Sequence, residues 1–183
     1  MERFHIGRND TALVVVDIQE RLAAVMEHRA RVVANTLHLI EAAKLFSIPV
    51  LVTEQYPKGL GPTLAEIREA LPSPDPVEKI AFSCCGESHF PDRLASTRRE
   101  KVVVAGMESH VCVLQTVLDL LRTGYQVHVV DDAVCSRREE NHRTALALMR
   151  DAGAVITCTE TVLFQLLVRA GTEEFKTISR RIR

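Results

Sequence analysis

Lys101-Val102-Val103-Val104-Ala105-Gly106-Met107-Glu108-Ser109-His110-Val111-Cys112 is the stretch that decides the fold. Residues 102–105 are apolar without alternation, the pattern of a strand covered on both faces in a parallel sheet. The run ends on a glycine. Residues 110–123 then place Val111, Leu114, Val117, Leu118 and Leu121 at helical spacing, and Gly124 closes that helix. Strand, tight turn and helix make the repeating unit of a parallel α/β sheet, and the same unit recurs on either side.

Upstream, Leu13–Val16 reads as a first strand, residues 29–46 as a helix, and Ile48–Val52 as a second strand with Pro49 tolerated at its start. Residues 56–76 are less regular, with five of the seven prolines set around one short helix near 63–70. A third strand follows at Val77–Ile80. Downstream of the opening stretch, Tyr125–Val130 is a strand. Ser136 with Glu139 has capping-box spacing and opens a helix to Asp151. Ala154–Ile156 is the sixth strand, Thr157 with Glu160 opens a helix over 160–170, and Thr172 starts a last helix with acids first and bases last. No linker or repeat interrupts the alternation. The pattern predicts one domain over residues 1–183: a doubly wound, Rossmann-like, six-stranded parallel sheet in the order 3-2-1-4-5-6, with helices on both faces.

Composition narrows the function. A formal charge of −1 offers no electrostatic footprint for nucleic acid or an anionic membrane. No apolar run reaches the roughly 20 residues that span a bilayer, and the opening Met1–Asp10 segment is too polar for a secretory leader. Five cysteines, spread along the chain without a CxxC pair, fit neither a disulfide framework nor a zinc ribbon, so a reduced, cytoplasmic protein is expected. GxSxG, P-loop, GxGxxG and HExxH motifs are all missing. No cofactor and no metal are expected.

Ligands of such sheets bind beyond the carboxyl ends of the strands, at the switch point between strands 1 and 4. Asp17 ends strand 1, Lys79 ends strand 3, and Cys112 enters the first helical turn after strand 4. Taken singly, such an Asp is commonly a turn former, the Lys solvated and the Cys a small core residue. Converging on one crevice, they are the parts of a thiol nucleophile site. The helix start favours the Cys112 thiolate, Asp17 is placed to take its proton, and Lys79 keeps Asp17 ionised. Cys84 and Cys85 form a vicinal pair near this crevice, for which packing is the simpler role.

Leu13-Val-Val-Val-Asp17-Ile-Gln19, Thr53-Glu54-Gln55-Tyr56-Pro57-Lys58-Gly59, Glu78-Lys79-Ile80-Ala81-Phe82-Ser83 and Gly106-Met107-Glu108-Ser109-His110-Val111-Cys112 together resemble the isochorismatase-like cysteine hydrolases, and the likeness covers nearly the whole chain. The resemblance implies a catalytic triad of Asp17, Lys79 and Cys112. It also implies a cis peptide at Met107–Glu108 and an oxyanion hole from the Glu108 and Cys112 N–H groups. Gln19, Gln55, Tyr56 and Phe82 are candidates for the substrate-pocket wall. Nicotinamidases of the superfamily carry an Asp-x-His metal motif after strand 2, absent here, and authentic isochorismatases lack the nucleophilic Cys present here. The expectation is therefore a metal-free, homo-oligomeric hydrolase acting on a C–N bond of amide type in a small molecule, through a Cys thioester. The alternatives are a thiol-independent isochorismatase-type hydrolase and a non-enzymatic oligomeric binding protein that retains the triad.

Overall fold

A computed structural model describes every residue except Pro72, Pro74 and Arg183, so those two prolines of the irregular stretch lie outside the described residues. The strands are β1 (Thr11–Val16), β2 (Val50–Gln55), β3 (Val77–Lys79), β4 (Lys101–Met107), β5 (Gln126–Cys135) and β6 (Val155–Thr157). They form one six-stranded sheet in the order β3-β2-β1-β4-β5-β6, parallel at every pairing. The helices are α1 (Glu20–Ala23), α2 (Arg29–Leu45), α3 (Pro57–Leu60), α4 (Ala65–Ala70), α5 (His89–Ser96), α6 (Leu114–Arg122), α7 (Glu139–Asp151), α8 (Thr159–Leu167) and α9 (Glu173–Arg181).

The period-2 geometry of the central strands sorts the helices into two layers. Leu13, Val15, Val103 and Ala105 face one core with Leu39 and Ile40 of α2, Leu163 of α8 and Ile178 of α9. Ala12, Val14, Val16, Val102 and Val104 face the other with Phe90 of α5, Val117 of α6 and Met149 of α7. Every residue of β1 and β4 is buried, which is why their sequences show no polar alternation. At the switch point Gly106 pairs with Val16 at a positive φ of 135°. A side chain there would run into the Val16 backbone, so glycine lets β4 approach β1 as it leaves the sheet.

Several boundaries differ from the sequence expectation. β2 starts at Val50 and runs on through Thr53, Glu54 and Gln55, polar residues that are buried because each finds a partner. β5 continues to Cys135, beyond the expected end at Val130. The two inner capping boxes do not form. Arg138 occupies the N-cap of α7 without a side-chain bond, and the Ser136 hydroxyl lies 2.9 Å from His110 Nδ1 instead. Cys158 occupies the N-cap of α8, while Asp132 of β5 accepts from both the Thr159 N–H and hydroxyl at 2.8 Å. Thr172 does cap α9, accepting from Phe175 N at 3.1 Å.

Candidate active site

Asp17 follows β1 directly and sits at a left-handed φ of 50°, a conformation that Asp tolerates better than most residues. Its backbone N–H reaches back to Thr53 O at 3.3 Å, and its side chain is sealed from solvent. The Thr53 hydroxyl donates to Asp17 Oδ1 at 2.7 Å. Asp17 Oδ2 lies 2.7 Å from Lys79 Nζ. Lys79 is the last residue of the edge strand β3, yet its side chain is also fully buried. Its ammonium donates to Gln55 Oε1 at 2.7 Å and to the Phe82 carbonyl at 2.9 Å, with the Ala81 carbonyl at 3.3 Å. With those donors spent, Lys79 is a fixed charge and not a reaching arm.

Cys112 lies in a single π-helical turn, Ser109–Val113, between the end of β4 and α6. Such turns are frequent at functional sites. The Met107–Glu108 peptide before it is cis. Three consecutive side chains strap this turn to the segment after β5. Glu108 is bonded to Arg137 through the backbone N–H at 2.9 Å and Nε at 3.1 Å, Ser109 Oγ lies 2.9 Å from His142 Nδ1, and His110 meets Ser136. His142 Nε2 in turn lies 3.0 Å from Asp131 Oδ1. The thiol is nearly closed off, with Cys112 only 5% exposed.

The electrostatics correct one expectation. Burial, then the charge of Asp17, pushes the Cys112 thiol up to about 12, against the opposing pull of Lys79. Both influences act against the thiolate that a helix start would favour. Burial pulls the Lys79 ammonium down, but the neighbouring Asp17 charge acts against it and the pKa is left raised, so it stays protonated. Cys84 belongs to the same cluster. It is fully buried, with its Sγ 3.7 Å from Thr53 Oγ1 and its thiol pushed up to about 12, first by burial and then by Asp17.

Of the candidate pocket residues, Gln19 is enclosed by its surroundings. It has no exposed surface, and its amide donates to the Gln55 and Gly61 carbonyls and accepts from Gln55 N. It fastens the loop after β2 to the start of α1 and offers nothing to a ligand. Gln55 is likewise spent, between Lys79 Nζ and the Ile80 carbonyl. Tyr56 and Phe82 are 51% and 54% exposed, and both side chains are open to contact. Tyr56 lines a cleft of about 330 Å³ with Pro57, Lys58, Glu78, Ile80 and Glu87, along the outer flank of Lys79; neither Asp17 nor Cys112 is in its lining. Among the described residues no three His, Cys, Asp or Glu side chains gather as a metal site. Sequence reasoning missed Thr53 and the strap residues Arg137, His142 and Asp131. The one available signal for Thr53 was its polar side chain at the carboxyl end of a strand beside Asp17.

An all-parallel six-stranded sheet in this order, wrapped by helices on both faces, is the α/β fold of isochorismatase-like proteins. Residues 11–161 match the isochorismatase domain, and the chain belongs to the isochorismatase family, whose members are hydrolases. It is 41% identical over 181 residues to the secreted isochorismatase effector Isc1 of Phytophthora sojae, covering 96% of this chain and 85% of that one. The structure described as MAR1 ribonuclease from Caenorhabditis elegans shares 38% identity and a TM-score of 0.91, over 97% of this chain and 92% of its own. YcaC from Pseudomonas aeruginosa, described with hexane-2,5-diol and covalent acrylamide, shares 25% identity and a TM-score of 0.91, over 97% and 91%.

Proposed function

We propose that this chain hydrolyses a C–N bond of amide type in a small molecule, with Cys112 as nucleophile, Asp17 as acid and base, and Lys79 as the charge that orients Asp17. The observation that carries the reading is the Asp17–Lys79 pair at 2.7 Å, fully buried and coupled to the Cys112 thiol. Desolvating such a pair costs several kcal/mol per ion, roughly, so burial for stability alone is a poor account of it.

Cys112 Sγ attacks the amide carbonyl carbon as Asp17 takes the thiol proton, and the Glu108 and Cys112 N–H groups receive the oxyanion. Collapse breaks the C–N bond, and Asp17 passes the proton to the leaving amine. Water then gives its proton to Asp17 and its oxygen to the thioester carbon. The C–S bond breaks and Sγ recovers the proton. A resting thiol at about 12 suits this order, since the proton leaves as the bond forms and no free thiolate waits in the site.

Covalent acrylamide in the YcaC relative supports a reactive nucleophile in this fold, because acrylamide is an electrophile that adds to thiols. The formal charge of −1 favours a small substrate over the polyanion that the ribonuclease description of the worm relative would call for. All five cysteines are unpaired, which supports a reducing, cytoplasmic setting, although the Phytophthora relative is described as secreted. No helix among the described residues is long and apolar enough to cross a membrane. Exposed Leu118 and Leu148 on neighbouring helices support a homo-oligomer.

The test is a library of small amides incubated with the protein, with mass detection of a thioester on Cys112. Turnover of any hit should vanish in Cys112→Ala. Turnover kept in Cys112→Ala and lost in Asp17→Asn would select the thiol-independent hydrolase instead.

A further inference from the structure

We propose that Thr53 is a positioning residue of this site: its hydroxyl holds Asp17 Oδ1, which fixes the carboxylate with Oδ2 turned to Lys79, and the Cys84 thiol steers that hydroxyl from behind. The inference rests on the reading of Asp17 as the base.

Asp17 has two oxygens with different partners: Oδ1 meets Thr53 and Oδ2 meets Lys79. Thr53 Oγ1 donates to Oδ1 at 2.7 Å, within the buried centre of the sheet. A threonine hydroxyl has one proton and two lone pairs. The Cys84 thiol lies 3.7 Å away and donates to the same oxygen, which leaves the hydroxyl proton for Asp17. Cys84 is itself fixed, because its backbone N–H donates to Thr116 Oγ1 at 2.9 Å. Thr116 stands on α6, the helix that Cys112 leads into. The groups facing Asp17 are thus Thr53 from β2, Lys79 from β3, Cys84 from the turn at residues 84–86, and Cys112 after β4. Donation runs one way, from Cys84 to Thr53 to Asp17, and ties the carboxylate to the helix that the nucleophile's turn leads into. This gives a use to one thiol of the vicinal pair and to the buried hydroxyl of Thr53.

The step most exposed to a misdirected carboxylate is deacylation, in which Asp17 must take a proton from water. Displacing a catalytic group by about 1 Å can cost around a hundredfold. p-Nitrophenyl acetate serves as the probe: its acetyl group passes to Cys112 Sγ with loss of p-nitrophenol, and the lifetime of the acetyl thioester is read by intact mass. Thr53→Val and Thr53→Ala, which lack the hydroxyl, should lengthen that lifetime at least tenfold. Thr53→Ser, which keeps it, should restore the wild-type lifetime within about threefold, a rescue that a purely space-filling role would not produce. Wild-type lifetimes in Thr53→Val and Thr53→Ala, beside a long-lived thioester in Asp17→Asn, would overturn the role of Thr53 alone. A wild-type lifetime in Asp17→Asn, or no acetylation of Cys112 in any variant, would overturn the reading of the site and this proposal with it.

Discussion

Asp17→Asn should make Cys112 more reactive towards an alkylating agent while abolishing hydrolysis. Burial comes first among the causes that push the thiol up to about 12, and the Asp17 charge second, with Lys79 acting against both. A thiol held that high is almost wholly protonated at neutral pH, whereas an ordinary thiol near 8.5 is ionised in about 7% of molecules at about pH 7.4. A neighbouring carboxylate is worth about 1–3 pKa units. Asparagine keeps the size of the side chain and removes the charge, and the Lys79 ammonium then acts on the sulfur without its counter-charge. Thiolate population should rise about 10- to 1,000-fold. Nucleophilicity falls as pKa falls, with a Brønsted coefficient of about 0.4–0.5, so the labelling rate should rise by a smaller factor, about 3- to 60-fold. The assay is iodoacetamide labelling at neutral pH, followed by peptide-level mass spectrometry so that each of the five cysteines is read separately. Labelling of Cys112 that is unchanged or slower in Asp17→Asn would refute the claim that the carboxylate holds the nucleophile as a thiol.

Two further outcomes concern residues away from the reacting atoms. His128 on β5 is 1% exposed with Nε2 unpartnered, and burial, then the Lys101 charge, holds its imidazole down to about 4 from 6.5. The unfolded chain takes up that proton first, so this stability is present above about pH 6.5 and falls as pH drops towards 4, by about 3 kcal/mol in total. Urea unfolding at pH 7 and pH 4.5 should show that loss in the wild type and not in His128→Leu; equal losses in both would count against it. Gln19→Ala should cost roughly 2–4 kcal/mol, since it strands the buried Gln55 N–H and the Gln55 and Gly61 carbonyls. A urea midpoint within error of the wild type would return Gln19 to the pocket wall.

Much of the architecture is legible in the chain because burial on both faces leaves an unmistakable trace. Val102–Ala105 and Leu13–Val16 are apolar without alternation, and each is buried as that pattern requires. Legibility fails where a polar residue is buried with a partner distant in sequence. The apolar run of β2 stops at Val52, yet the strand runs three residues further, because Asp17, Thr63 and Gln19 supply the partners of Thr53, Glu54 and Gln55. The misplaced helix caps have the same origin. Asp132 caps α8 from a neighbouring strand, 27 residues away, and takes the place that a local Thr157 was expected to fill.

By itself the sequence determined the sheet, its order, and the fact that Asp17, Lys79 and Cys112 end up at one switch point, because strand periodicity and connection length are local properties. Only the tertiary structure decided their electrical state. Placing a cysteine at a helix start argues for a thiolate, but that argument counts the helix and omits the solvent. Once Cys112 is enclosed beside Asp17, which is itself enclosed, burial and the neighbouring charge push the thiol up against the pull of Lys79. Exposure and charge at a point are sums over the whole packed molecule, and no stretch of chain carries them alone.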